Sequence, residues 1–480
     1  MDYVADFHLH SKYSRAVSKD MDLPQMAKAA QQKGLDILTA SDWTHTLWLK
    51  EIRAQLEEAT EGLYCLKSEI RNPKSETKEP LFILSTEISS IYSEKGKLRR
   101  IHNLVFAPNL EIAEKIQKEL LKRGANLSAD GRPIIGISSK NLFQLILEID
   151  ERCMLIPCHA WTPHFGIYGS ASGYDSLEEA FEDLTPCIYG IETGLSSDPE
   201  MNWQIPELMN RSILSFSDAH SLPKMGREAT VFELAEASYE NIRRAIMRKK
   251  VQRPVIASGA KQSNPEGIAT SQAPRNDNRI KYTVEFYPEE GKYHFSGHRN
   301  CGVVRGPEEL KKEGDICPIC KRRLTEGVLF RVQQLCDKEL LDRLEVKISP
   351  REIKWYTDKR KNHPPFVKLV PLLEIVAESL ESTVFSVKTK GLYKQLTLEL
   401  GSEIEILLKV PIEDISKIGG SKIAHGILLV RKGDIVIDPG FDGEYGKVKI
   451  WKHEEISKDS KVSEVSRRET EKKEQLGIEF

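Results

Sequence analysis

Near-continuous apolar runs recur through the first half of the chain, and most of them end in an acidic residue or a histidine. Residues 3–7 lead into His8 and His10, 35–40 end in Ser41-Asp42, and 81–85 end in Thr86-Glu87. Residues 154–158 end in His159, 187–191 in Glu192, and 212–216 in Ser217-Asp218-Ala219-His220, while His102 stands just before the run 103–107. Runs this short and this uniformly apolar predict strands covered on both faces. Helical periodicity at 25–33, 47–60, 110–123 and 140–149 predicts parallel β/α units between them. Side chains at the carboxyl ends of such strands converge on one mouth of a barrel.

The chemistry of those ends is that of metal ligands. Residues two apart in a strand share a face, so His8-x-His10 aims two imidazoles at one point. Asp42 or His45, Glu87, His102, His159, Asp218 and His220 extend the set. Mixed imidazole and carboxylate ligation suits Zn²⁺, Mn²⁺ or Fe²⁺ better than Mg²⁺ alone. A carboxylate such as Glu87 can bridge two ions, and paired ions stabilise both the attacking and the leaving oxygen of a phosphoryl displacement. Taken singly, each residue could equally be a cap or a satisfied polar group of the core. Cys158 and Cys187 lie inside apolar runs and read as core thiols.

Beyond the barrel, expected over 1–253, the pattern changes. Residues 254–280 are rich in Ser, Gly, Asn and Gln and poor in large apolar side chains, the composition of a linker or insertion. His298-x-x-Cys301 followed by Cys317-x-x-Cys320 reads as a closed four-ligand zinc site within 281–330, with His294 as the alternative fourth ligand. Helical spacing of apolar residues follows at 325–344 and 366–380, giving an expected mostly helical domain over 331–453. The tail 454–480 is almost wholly charged or polar until its last six residues, and it is expected to be disordered.

Charge adds little globally, because 72 acidic side chains offset 70 basic ones. Any nucleic-acid binding must use local patches, such as Arg243, Arg244, Arg248, Lys249, Lys250 and Arg253, Lys321 to Arg323, or Lys354 and Lys359 to Lys361. No apolar run is long enough to span a membrane, and no charged-then-apolar signal opens the chain. A cytoplasmic, nucleoid-associated protein is expected.

The motif set Asp6-x-His8-x-His10, Ser41-Asp42, Glu87, His102, His159 and Ser217-Asp218-Ala219-His220 resembles the PHP (polymerase and histidinol phosphatase) phosphoesterases. The resemblance implies a distorted barrel of seven β/α units. It implies one ion on His8, His10, Glu87 and Asp218, a second on Glu87, His102 and His159, and a third helped by His220. At the third position the chain departs from the pattern: Ser41-Asp42-Trp43 stands where many relatives carry Thr-Asp-His. Asp42, His45 or Asp20 is left as substitute.

The layout as a whole resembles the endonuclease Q family. The match runs through Gly297-His298, Cys301-Gly302, Cys317-Pro318 and Cys320, then Pro364-Pro365-Phe366-Val367 and Val370 to Glu374, and on to Asp442-Gly443-Glu444-Tyr445-Gly446. That family nicks double-stranded DNA 5′ of deaminated bases such as uracil, hypoxanthine and xanthine, and of abasic sites. The resemblance makes Asp218, Glu87 and His220 the expected catalytic groups, with two or three divalent ions (Zn²⁺, Mn²⁺ or Mg²⁺) and one structural Zn²⁺. Loop residues Trp161, Tyr168, Ser196 and Ser197 are candidate pocket walls, and Lys224 and Arg227 are candidate backbone contacts. The terminal Gln475-Leu476-Gly477-Ile478-Glu479-Phe480 resembles the short peptide that docks on the bacterial sliding clamp, with Gln475, Leu476, Ile478 and Phe480 as contacts. Two other functions stay open: a phosphatase of small phosphomonoesters, and a non-catalytic DNA-binding module.

Overall fold

The apolar runs form strands because helices and other strands cover both their faces. β1 (Asp2–Asp6), β2 (Ile37–Thr39) and β3 (Leu81–Glu94) lie parallel, with Ala5 beside Ile37 and Ile37 beside Leu81. The structure, a computed structural model, describes residues 1–71, 78–248 and 278–451. Nearly all of the expected linker, Lys249, Lys250, Arg253 and the tail with Gln475, Leu476, Ile478 and Phe480 lie outside the described residues.

The crossover helices carry their own start and stop signals. α1 (Leu23–Lys33) begins at Asp22, whose side chain accepts the Gln25 N–H, and carries a proline in its first turn. It ends at Gly34, φ +87°, where any side chain would strike Ser402 from the far end of the chain. Buried Lys33, 2.8 Å from Glu403, ties the same corner together. α2 (Thr46–Gln55) is capped by His45, and α3 (Leu110–Lys122) by Asn109.

Parallel order stops at β3. Lys95 and Gly96, both at positive φ, turn the chain into β4 (Lys97–Ala107), and the two strands pair antiparallel from Leu84–Ala107 to Glu94–Lys97. β5 (Met154–Pro157) pairs antiparallel with β4. The expectation of uniformly parallel units therefore fails here: the turn chemistry of Lys95-Gly96 favours a hairpin over a crossover. Glu87 and His102 consequently sit within a long hairpin and not at strand ends. Elsewhere, the predicted helix 47–60 ends at Gln55, and Leu56–Thr60 becomes a strand that pairs with Leu63–Leu66.

After β5, the Ala160 N–H donates to the Glu192 carbonyl (3.0 Å) at the end of β6 (Gly190–Glu192). β6 pairs in parallel with β7 (Ser212–Leu214), and a parallel bridge from Ala219 to Leu9 leads back to β1. The sequence of strand neighbours thus returns to its start. Phe7 packs among Phe106, Phe216 and Phe232, with ring centroids 5.1–6.0 Å apart.

The second half does not stand apart. β8 (Ala229–Glu233) pairs antiparallel with β1, β9 (Arg279–Glu285) antiparallel with β8, and β12 (Phe366–Lys368) parallel to β9. β10 (Leu344–Ile348) and β11 (Lys354–Asp358) extend that edge. The expected helical stretches 325–344 and 366–380 therefore contract to Val328–Leu335 and Leu372–Ser379, because alternating residues of 344–368 pair as strands. Helices Leu372–Ser379, Val387–Glu399, Glu403–Leu408, Ile412–Gly419 and Ser421–Lys432 pack beyond them. The protein is a mixed α/β molecule, with a thirteen-stranded central sheet among the described residues.

Candidate metal centre

Just past β1, His8 and His10 point to one side, with ring centroids 5.4 Å apart. His8 Nδ1 lies 2.8 and 3.1 Å from the two oxygens of Glu192. A carboxylate only accepts, so Nδ1 carries the proton and Nε2 is left as a donor for a cation. His10 is set the same way: Nδ1 lies 3.4 Å from Asp42 Oδ1, while Nε2 lies 3.2 Å from Glu87 Oε2 and 3.1 Å from Asp218 Oδ1.

Glu87 occupies the middle, fully buried, with a different company at each oxygen. Oε1 meets His102 Nδ1, His159 Nε2 (3.0 Å) and Cys158 Sγ (3.7 Å). Oε2 meets His10, His8 Nε2 (3.7 Å) and Arg132 Nη1 (3.2 Å). Two sets of imidazoles thus face the two oxygens of one carboxylate, an arrangement able to hold metal ions. Asp218 closes the first from the other side, 3.6 Å from His8 Nε2. His220 donates from Nδ1 to the Asp218 carbonyl (3.0 Å), and its ring lies tilted 4.6 Å from that of His10, with a third of its side chain exposed.

The donor set fits divalent ions. His8 Nε2, on the side facing Glu87 and Asp218, is fully buried with no hydrogen-bond partner, an arrangement that costs free energy unless something else meets it. The backbone shows the same demand: Asp42, His159 and Asp218 sit at φ +37°, +32° and +46°, a strained region for such residues. Burial alone would make Glu87 and Asp218 weaker acids. The surrounding imidazoles, and Arg132 for Glu87, prevail and hold both carboxyls well below the usual range. Burial pushes His102 down to about 4 and lowers His220, which favours their neutral, ligating form; against burial, the facing carboxylates raise His8 and His10, favouring positive charge at the place a bound cation would supply it.

Some expected residues lie elsewhere. Asp42 is not free to ligate: its Oδ2 accepts the Ser11 N–H (2.6 Å), the Ser11 hydroxyl (2.7 Å) and the Ser14 hydroxyl (2.8 Å), so it orients His10. His45 caps α2, with Nδ1 accepting the Trp48 N–H and Nε2 3.3 Å from the Ser128 carbonyl, away from the cluster. Trp161 and Tyr168 are buried and stacked (4.7 Å), bonded to Asn202 and Glu207, and so are core and not pocket wall. Ser197 is buried against the Thr193 carbonyl, and the Ser196 carbonyl faces His294. Lys224 pairs with Glu374 (2.6 Å), and Arg227 donates to the Ser217 carbonyl (3.0 Å). The sequence pattern did not single out Arg132, which comes from an irregular loop, or Glu192 as the partner of His8. The apolar run ending at Glu192 was the available signal for the latter.

A second cluster forms at the hairpin Ser296–His298 and Val303–Arg305. One ligand atom each of His298, Cys301, Cys317 and Cys320 lies within 4.8 Å of the others, with Cys320 Sγ 3.4 Å from His298 Nδ1. Backbone N–H groups of Cys320 and Ile319 draw the Cys317 thiol down to about 6. His294 points instead toward the Ser196 carbonyl.

Residues 371–434 match the family described as the MJ0043 C-terminal domain. The chain is 30% identical over 303 residues to the uncharacterised protein MJ0043 of Methanocaldococcus jannaschii, covering 60% of this chain and 33% of that protein. It therefore spans about a third of that relative's length. It is 28% identical over 460 residues to the uncharacterised protein YqxK of Bacillus subtilis, covering 93% of this chain and 98% of that one. Among solved structures it is similar to the lesion-specific endonuclease PfuEndoQ of Pyrococcus furiosus, with TM-score 0.72, 27% identity and coverage of 95% and 99%. It is also similar to endonuclease Q bound to a 27-mer duplex with an abasic lesion at the active site, with TM-score 0.74, 28% identity and coverage of 94% and 97%.

Proposed function

Because the chain belongs to the endonuclease Q family, we propose that it is a metal-dependent DNA endonuclease, cutting the phosphodiester 5′ of deaminated bases (uracil, hypoxanthine, xanthine) or of abasic sites. The observation that carries this is Glu87, each of whose oxygens faces a separate group of imidazoles. That geometry suits a paired-ion phosphodiesterase. The strand neighbours β1 to β7 form, in this reading, a distorted seven-stranded PHP barrel with the cluster at its mouth.

His8, His10, Glu87 and Asp218 would hold one ion, and Glu87, His102 and His159 the second. Zn²⁺, Mn²⁺ or Mg²⁺ would supply Lewis-acid charge stabilisation and a nucleophilic water when bound. Glu192 and Asp42 keep His8 and His10 in the ligating tautomer. His220, with Nδ1 held by the Asp218 carbonyl and its side chain partly exposed, is placed to pass a proton to or from the reacting oxygens. Damaged or mispaired bases leave the stack at least cost, which biases the reaction toward lesions before any base is read.

His298, Cys301, Cys317 and Cys320 would hold a structural zinc with no open position. Residues 475–480 would dock on a sliding clamp, so that a weak peptide concentrates the enzyme on DNA in a nucleoid-associated, cytoplasmic setting. No helix among the described residues is long and apolar enough to cross a membrane.

The test is a nicking assay on labelled duplexes carrying one uracil, hypoxanthine, abasic site or normal base, with Mn²⁺ or Mg²⁺. One cut immediately 5′ of the lesion, lost in Asp218→Asn, is expected. Intact duplexes alongside hydrolysis of a chromogenic phosphomonoester would point to the phosphatase instead.

A further inference from the structure

Arg132 reaches the centre of the cluster from outside the strands that build it. Nη1 lies 3.2 Å from Glu87 Oε2, the oxygen that also faces His10 Nε2 at 3.2 Å. That is the only acceptor its side chain has among the described residues. Most of its five N–H groups are therefore uncommitted, and about a quarter of the side chain is open to solvent.

The loop that carries it is pinned from both sides. Asp130 Oδ1 accepts the N–H groups of Arg15 (3.3 Å) and Arg132 (3.2 Å), and the Gly131 N–H donates to the Tyr13 carbonyl (3.2 Å). Residue 131 must be glycine, because a Cβ there would strike Asp42 and Ser14. On the other side the Pro133 carbonyl accepts the Ser89 N–H (3.0 Å), and Ile134 and Ile135 pair alongside Ser89 and Ser90 of β3. A cation held on so firmly fixed a loop beside a carboxylate cluster, with spare donors and part of its side chain open to solvent, exceeds what neutralising Glu87 requires. Nearby, Asp42 is taken up by Ser11, Ser14 and His10, and His45 faces Ser128, so neither competes for the guanidinium.

We propose that Arg132 binds a non-bridging oxygen of the scissile phosphate and supplies, as a fixed guanidinium, positive charge beside the cluster. This rests on the phosphodiesterase reading. Guanidinium matches phosphate as it matches carboxylate, through paired N–H groups. A donor already in place where charge builds up on the phosphoryl oxygens needs no reorganisation during the reaction.

The experiment compares full-length wild type, Arg132→Ala and Arg132→Lys on a duplex with one tetrahydrofuran abasic analogue and Mn²⁺. Single-turnover cleavage, duplex affinity, bound-metal content and melting temperature are read together. The single-turnover rate of Arg132→Ala should fall about 10²- to 10³-fold, with metal content and melting temperature unchanged. Added guanidinium ion should recover part of the alanine variant's rate and none of the wild type's, with Arg132→Lys in between. Metal loss from Arg132→Ala in step with its activity would overturn the phosphate contact and leave only a partner for Glu87. An undiminished rate would overturn it outright. A wild type inert on every lesion duplex contradicts the nuclease reading itself, whereas an active wild type with an equally active Arg132→Ala contradicts the arginine's role alone.

Discussion

The two ligand clusters of this chain differ in donors, in backbone and in openness. The cluster around Glu87 is built of nitrogen and oxygen donors on strand ends and a hairpin, with three strained residues and with Asp218 and His220 partly open to solvent. The cluster of His298, Cys301, Cys317 and Cys320 is mostly sulfur, joins a short hairpin to a later turn, and lies beside a core of little more than Leu310, Cys317 and Leu324. The first lies within a large folded framework and leaves a face for substrate. The second stands where little apolar surface is buried, so that a metal held there, as proposed, would contribute to folding. The difference teaches that ligand count alone does not assign a role: what surrounds the donors does.

That contrast can be broken from either side. The largest effect is expected at the open cluster. Asp218→Asn or Glu87→Gln should lower lesion cleavage by at least about 10³-fold with little change in melting temperature, since the framework remains. At the closed cluster, Cys317→Ser should do the reverse. It should destabilise the module by roughly 4 kcal/mol, seen as an early transition in calorimetry and loss of one zinc, while the Glu87 cluster keeps its ions. A Cys317→Ser variant of unchanged stability would remove the distinction.

Between these extremes lie the residues that orient ligands. Glu192→Gln should weaken metal affinity by about 10- to 100-fold, because the amide holds the His8 ring less firmly, and Asp42→Asn should do likewise through His10. Competition titration with a fluorescent chelator measures both.

The smallest effect concerns a buried carboxyl away from either cluster. Burial pushes Glu285 up to about 8, against hydrogen bonds from Ser215 and Thr283, and neighbouring Glu228 is raised as well. A carboxyl raised in the folded state holds a proton that the unfolded chain has already released. Its contribution is therefore fully present below the unfolded value of about 4.5 and lost as pH rises through about 8. Glu285→Gln, a neutral isostere, should flatten the fall in melting temperature between about pH 4.5 and about pH 8 by about 2–4 °C. An unchanged slope would show that Glu285 titrates normally.

What the sequence made legible follows from where each residue sits. His8 and His10, separated by Leu9, declare their shared face through strand periodicity, and Ser217-Asp218-Ala219-His220 does the same at the end of β7. Glu87 and His102 were legible as ligand types but not in position, because the Lys95-Gly96 turn decides between crossover and hairpin and carries no ligand signal. Asp42 has the same chemistry as a ligand. Only the three-dimensional approach of the Ser11 and Ser14 donors shows it to be an orienting group. Trp161 and Tyr168 stand in a Gly- and Pro-rich stretch that resembles an open loop, yet their partners Asn202 and Glu207 arrive from distant sequence and bury them. Arg132 had no periodic pattern around it. Its meaning comes from Asp130, Gly131 and Pro133 locking a loop against two other segments.

The separation of roles is tested most directly by nicking of a uracil duplex before and after chelation, with metal content measured on the same samples. Mild chelator treatment should strip the ions at Glu87 and abolish cleavage while one zinc stays bound, and added Mn²⁺ should restore cleavage. Cleavage that persists after the Glu87 ions are gone, or that is lost only when the zinc leaves, would contradict this division between an open catalytic centre and a closed structural one.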